Sequence, residues 1–214
     1  MSHTPREIID ISVPISTTMV TWPGDPKPDI HFVKTMAEGG TSNTSAFTMG
    51  SHNGTHVDAP LHFVEDAMPI DRVPLDVLIG AARLLDMRGR DVITLGDLEA
   101  ADIDGVRRLL FRTDASGFWA DSEFHKEFCH LDDDAAAYLV ESGVRLVGVD
   151  YLSVEQYEGR TRRTHKILLS GDVIIVEGLD LREVEPGDYE FICLPLLMEG
   201  MEAAPARAVL RRMA

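Results

Sequence analysis

Cysteine is scarce in this chain. There are two, Cys129 and Cys193, in 214 residues, and neither belongs to a CxxC pair. That excludes a disulfide-stapled scaffold and a thiolate zinc module, and a reducing, cytoplasmic setting is expected. Long apolar runs are missing as well: nothing approaches the ~20 residues that cross a bilayer. The segment Met1-Ser2-His3-Thr4-Pro5-Arg6-Glu7 has no basic stretch leading into an apolar one, so no signal peptide is expected. Basic residues are outnumbered, 20 Lys plus Arg against 36 Asp plus Glu, for a formal net charge of −16. Such a balance argues against partners that present a phosphate backbone or an anionic membrane surface. Internal repeats, low-complexity tracts and Pro/Gly/Ser linkers are absent too. What remains is 44% hydrophobic and 26% charged, the composition of a chain that folds. Its length is enough to bury a core without covalent staples, and one domain over residues 1–214 is expected.

The apolar pattern shows more strand than helix. Alternation predicts a first strand over Ile8 to Ile15, and Trp22-Pro23-Gly24-Asp25 reads as a loop. Phe47 to Met49 should enter a second strand. Val77 to Met87, Arg108 to Arg112, Val144 to Val149, Val173 to Val176 and Tyr189 to Leu194 are further strands. Thr94 has the character of an N-cap before a helix over Leu95 to Ala101. The clearest helix is Asp132 to Ser142. Acids open it, which suits the helix dipole, and Gly143 follows it, which suits a left-handed C′ position. These elements predict an α/β chain with a central mixed sheet or barrel and a few helices outside it.

One segment stands apart: Ser51-His52-Asn53-Gly54-Thr55-His56-Val57-Asp58-Ala59-Pro60-Leu61-His62-Phe63. His52 and His56 are at helical i,i+4 spacing, but Gly54 and Pro60 oppose a helix. A tight turn at Asn53-Gly54 would instead fold His52 back toward His56. In an extended run after it, His56, Asp58 and His62 sit at even separations and would face one side. Imidazoles and a carboxylate on one face suit a divalent zinc, manganese or iron(II) ion. His3, His31, His125 and His130 have no partner at metal spacing and are expected at the surface or in structural roles. The run Arg160-Thr161-Arg162-Arg163 is unusual in an acidic chain. It reads either as a solvated loop or as a contact for a substrate carboxylate.

The segment HNGTHVDAPLHF closely resembles the signature of the cyclase family, which includes bacterial kynurenine formamidase and isatin hydrolase. The resemblance extends to Trp22-Pro23-Gly24-Asp25, to the strand Arg145 to Asp150, and to His165 followed twelve residues later by Glu177. Leu194-Pro195-Leu196 and Ala204 to Leu210 extend it near the C-terminus. It implies the family's swivelling β/β/α domain, assembled as a homodimer or higher oligomer. It implies zinc, one or two ions, with manganese as an alternative. His52, His56 and Asp58 would hold one ion; Asp58, His165 and Glu177 would hold the second, with Glu177 shared as Asp58 is. His62 would donate and accept the proton, and Trp22 would line the substrate pocket. The implied reaction is hydrolysis of a small-molecule amide by a metal-bridging hydroxide, at best an arylformamidase converting N-formyl-L-kynurenine to L-kynurenine and formate. After Asp150 the chain reads Tyr151-Leu152-Ser153 where kynurenine formamidases read Thr-Pro-Ser, a departure that touches the substrate rather than the metal.

Elementary chemistry agrees with such a site. Two ions ~3.5–4 Å apart polarise a carbonyl and supply a hydroxide at neutral pH, and a histidine outside the ligand set moves protons. Hydrolysis of a cyclic amide such as isatin, or of a lactone, uses the same parts. A metal that only stabilises the fold is the non-enzymatic alternative, and it would be closed by four protein ligands.

Overall fold

The computed structural model describes residues 7–159 and 162–213; His3, Arg160 and Thr161 lie outside them. In chain order the elements are β1 (Ile8–Asp10), β2 (Asp29–Lys34), β3 (Thr44–Thr48), β4 (His56–Asp58), α1 (Leu75–Leu78) and β5 (Ile79–Asp86). Then come β6 (Val92–Ile93), α2 (Leu95–Ala100), β7 (Arg108–Arg112), β8 (His130–Leu131), α3 (Asp133–Glu141) and β9 (Leu146–Val149). The chain finishes with α4 (Arg163–Ser170), β10 (Ile174–Glu177), β11 (Gly187–Pro195) and β12 (Ala203–Arg212).

Seven strands form a closed mixed barrel in the order β12-β11-β5-β7-β9-β10-β4, with β4 returning to β12. One edge of β12 pairs with β11 from Ala206 to Arg212. The other edge serves two partners, β4 at Ala203 to Pro205 and β1 at Val209 to Arg211. Strands β5, β7, β9 and β10 are parallel to their neighbours within that set. The connections between them carry α2, α3 and α4, as parallel pairing requires a crossover. β2 and β3 form a separate antiparallel ribbon.

The side-chain period of two divides the core. Leu110, Leu146, Ile174 and Val176 point into the barrel with Val57, Phe191, Cys193 and Leu210. Leu109, Phe111, Val147, Val149 and Ile175 point outward and bury Leu98 of α2, Ala135 and Leu139 of α3, and Leu168 and Leu169 of α4. Val57 faces inward, so its neighbours His56 and Asp58 face out. The register pairs Glu177 with His56 and Ile175 with Asp58. The chemistry-bearing side chains therefore sit on the outer face of the barrel, in the layer that α4 covers.

Several elements differ from the sequence expectation. The first strand stops at Asp10, and only Ser12 continues it, as an isolated bridge to Leu179. The expected strand from Val77 begins as the helical turn α1, because the buried Arg108 guanidinium takes the carbonyls of Val77 (2.8 Å) and Ile79 (2.8 Å). The capping box at Thr94 forms with Asp97. Asp132 caps α3 through Ala135 N–H, and Gly143 adopts φ 76°.

Candidate metal centre

The turn at Asn53-Gly54 is the first positioning device. Gly54 has φ 73°, a conformation that costs a side chain with a Cβ. The Asn53 side chain accepts the Gly50 N–H at 2.8 Å and locks the turn from inside. The ring centroids of His52 and His56 end 5.0 Å apart. Thr55, between them, donates to the Gly178 carbonyl at 2.5 Å and accepts from Val13 N–H at 2.9 Å. Gly178 is itself tied to this geometry: a Cβ there would collide with the Gly54 carbonyl.

Two groups of donor atoms result, His52–His56–Asp58 and Asp58–His165–Glu177, sharing Asp58. All but His52 are buried. His56 donates from Nδ1 to the Gly54 carbonyl at 2.9 Å, which leaves Nε2 bearing its lone pair toward the carboxylates. That atom lies 3.4 Å from Asp58 Oδ1 and 3.5 Å from Glu177 Oε2. His52 Nδ1 lies 3.0 Å from Asp58 Oδ1. Yet His56 Nε2 and both Asp58 oxygens have no hydrogen-bond partner among the described residues. Buried polar atoms without partners are costly. Donor atoms that converge without hydrogen-bonding one another are satisfied by a cation, so the residues fit a divalent metal.

His165 is placed by α4. Its Nε2 lies 3.3 Å from Glu177 Oε1, and its Nδ1 faces Glu155 Oε2 at 3.0 Å. Glu177 Oε1 also accepts Val154 N–H at 2.8 Å. Burial opposes charge on His52, His165, Asp58 and Glu177, but mutual attraction outweighs it. His52 is raised to about 9 by Asp58, Glu177 and Glu202, and His165 to about 9 by Glu155, Glu177 and Asp58. Asp58 and Glu177 are held below the ordinary carboxylate range by the surrounding imidazoles.

His62 belongs to neither donor group. It does not continue the extended run, because β4 ends at Asp58 and residues Pro60–His62 form a 3-10 turn. The turn, rather than strand alternation, brings the ring to the site, 4.2 Å from that of His52 and 6.1 Å from that of His165 between centroids. Burial, assisted by the charges of His52 and His165, lowers its pKa against the pull of Asp58 and Glu177. His62, Trp22, Phe63 and Leu152 line a cavity of about 190 Å³ that opens on His52, His165 and Glu177. Trp22 is anchored edge-on against Phe124, with ring centroids 5.4 Å apart. A larger cavity of about 460 Å³, around His130, Asp134 and Arg163, contains neither donor group.

Among the described residues, the remaining histidines stay outside both groups. His31 is exposed, and His125 pairs with Asp121 at 2.7 Å. His130 is half-buried, with Nδ1 3.5 Å from the Phe128 carbonyl. Arg163 pairs with Asp133 at 3.2 Å. Two residues of the site escape the sequence reading. Glu155 lies in a loop without periodicity, and only its burial beside His165 reveals it. Glu202, 3.3 Å from His52 Nε2, also accepts the Ser51 hydroxyl at 2.6 Å, across 151 positions of chain.

A barrel whose outer face carries two histidine–carboxylate donor sets under a crossover helix defines the class, and comparison names the family. Residues 9–156 match the family described as "Putative cyclase", and the chain belongs to it. It is 38% identical over 205 residues to a kynurenine formamidase of Bacillus cereus, covering 96% of this chain and 97% of that one. A structure described as a predicted metal-dependent hydrolase from Bacillus stearothermophilus superposes with TM-score 0.84 at 36% identity. That match covers 97% of this chain and 99% of the other. Isatin hydrolase A from Ralstonia solanacearum shares the fold, with TM-score 0.86 at 20% identity over 97% of this chain and 92% of that one. Among the described residues no helix is long and apolar enough to cross a membrane.

Proposed function

We propose that residues 1–214 act as one metal-dependent amide hydrolase, an arylformamidase that converts N-formyl-L-kynurenine and water to L-kynurenine and formate. The observation that carries this reading is the pair of donor sets sharing Asp58, beside a cavity that holds a non-ligand histidine, His62. Identity of 38% to a kynurenine formamidase supports the choice of substrate. Zinc or manganese, held by His52, His56 and Asp58 and by Asp58, His165 and Glu177, would polarise the formyl carbonyl and lower the pKa of water to ~7. Each set offers three protein donors and faces a cavity, the arrangement of an open site rather than a closed structural one.

The chain's own residues do the rest. Trp22 flanks the aryl ring of the substrate. Phe63 and Leu152 exclude bulk water from the cavity. His62 accepts a proton from the attacking water and returns one to the departing nitrogen as the C–N bond breaks. A cysteine nucleophile does not compete: burial pushes the Cys129 and Cys193 thiols up to about 12. The reading includes a cytoplasmic location, which two free cysteines suit. It also includes a homodimer or higher oligomer. Phe32 and Phe47 on the β2–β3 ribbon are 65% and 63% exposed, apolar surface of the kind that subunit contacts cover.

The test is turnover of N-formyl-L-kynurenine, formanilide and isatin by protein of defined metal content. The formyl compounds should be cleaved faster than isatin. His62→Ala should lose about 10²–10⁴-fold in kcat with metal content unchanged. Wild-type protein that cleaves isatin alone would move the assignment to cyclic amides, and full activity in His62→Ala would end the role given to His62.

A further inference from the structure

The cavity beside the metal centre carries two opposite charges that do not meet. Arg162 and Asp25 both line it, as does Trp22. The Arg162 guanidinium lies 5.3 Å from the centre of the Trp22 ring. Among the described residues nine other arginines are ion-paired, as expected where 36 acids face 20 bases. Among the described residues Arg162 has no carboxylate at ion-pair distance, and Asp25 has no cation, although they share one small cavity.

Both charges are carried by elements already fixed to the site. Asp25 N–H donates to the Trp22 carbonyl at 3.0 Å, so one turn presents the ring and the carboxylate together. Arg162 precedes α4, three residues before His165, and holds a left-handed backbone at φ 49°. The helix that positions a metal donor therefore also sets the guanidinium. Opposite charges kept apart inside a cavity leave room for a ligand that bears both signs.

We infer that Arg162 and Asp25 form a subsite for an α-amino-acid zwitterion, with the substrate carboxylate on Arg162 and its ammonium on Asp25. A guanidinium fork donates two parallel hydrogen bonds to a carboxylate. The aryl ring then lies along Trp22 and directs the scissile amide toward His62. This rests on the amide-hydrolase reading and narrows it to arylamides that carry an amino-acid arm. Isatin and simple lactones carry neither charge.

The experiment compares N-formyl-L-kynurenine with formanilide, which lacks the arm, in metal-loaded wild type, Arg162→Ala, Arg162→Lys and Asp25→Asn. Arg162→Ala should lower kcat/KM for formylkynurenine on the order of 10- to 100-fold more than for formanilide, mainly through KM. Arg162→Lys, which keeps the charge without the fork, should fall between and guards against a folding defect in the alanine variant. Parallel losses on both substrates would overturn the subsite. Asp25→Asn should narrow the preference for formylkynurenine over its des-amino analogue; an unchanged preference removes Asp25 from it. Binding of L-kynurenine, followed by calorimetry, separates recognition from turnover. If wild type cleaves neither formyl compound but its affinity for L-kynurenine depends on Arg162, the hydrolase reading fails and the subsite stands. If Arg162→Ala binds L-kynurenine as tightly as wild type, the subsite falls whatever the turnover.

Discussion

The two donor sets share Asp58 and are built in different ways. His52, His56 and Asp58 lie within seven residues, and a turn and three residues of strand place them. His165 and Glu177 come from roughly a hundred residues further along and meet Asp58 only because β10 pairs with β4 and α4 packs against β10 and the Pro60–His62 turn. The first set is a local device, fixed once β4 joins the barrel. The second depends on helix docking and on a single carboxylate, Glu155, behind the His165 ring. The contrast leads us to expect that, when metal is loaded, the far set is the weaker one and the first to be emptied.

The largest effect tests whether the sets are separable at all. Asp58→Asn strikes both, and should lower metal affinity and activity by roughly 10³-fold or more, beyond the ~10–100-fold typical of losing an outer partner. His165→Ala should empty only the far set. Metal analysis after dialysis distinguishes them; a His165→Ala protein as metal-free as Asp58→Asn would show that the sets act as one.

A smaller effect is expected at Glu155. With His165 Nδ1 held at 3.0 Å, Nε2 is the nitrogen presented to Glu177. Glu155→Ala should weaken metal binding at the far set by about 10–100-fold and leave the near set intact, with Glu155→Gln less affected because it keeps an acceptor. Nitrogen NMR of His165 should show the loss of a single tautomer in the alanine variant. Equal weakening of both sets would erase the distinction drawn between them.

The smallest effect is the dependence on pH. In metal-free protein His52 and His165 are raised from 6.5 to about 9, so both carry a proton at pH 7.5. A metal needs neutral imidazole, so loading should release up to two protons, measurable by calorimetry in buffers of different ionisation enthalpy. The raised histidines stabilise the metal-free fold fully below pH 6.5, and that contribution is lost as pH rises through about 9. Asp58 and Glu177, lowered from 3.8 and 4.5, stabilise it above those values and lose that contribution as pH falls. The Tm of metal-free protein should therefore decline from pH 6.5 to 9, while that of loaded protein holds. A flat Tm in the metal-free protein would mean that the imidazoles are already neutral.

Much of the near site is legible in the sequence because its rules are local. Asn53-Gly54 predicts the turn, and Thr94 predicts the cap that forms, while Asp132, read as the first helical residue, stands as the cap of α3. Where neighbours decide, legibility ends. The strand Ala203–Arg212 contains Pro205, a residue that reads as a breaker, yet it closes the barrel by pairing with His56. Helix α4 begins in a basic run with no cap side chain, and its apolar residues Leu168 and Leu169 make sense only against Ile175 and Val149. Strand β2 follows Pro26 and Pro28, and its apolar residues are exposed, so no buried face marks it.

The sequence by itself determined the ligand types, the near donor set and the family, because turn chemistry, spacing and a long motif are properties of consecutive residues. Only the tertiary structure decided that Glu155 stands behind His165, that His62 arrives on a 3-10 turn, and that Arg162 and Asp25 face one cavity with no ion-pair partner among the described residues. Those facts are distances between residues far apart along the chain. They are set by barrel closure and by the packing of α4, which maximise burial of apolar surface across the whole fold.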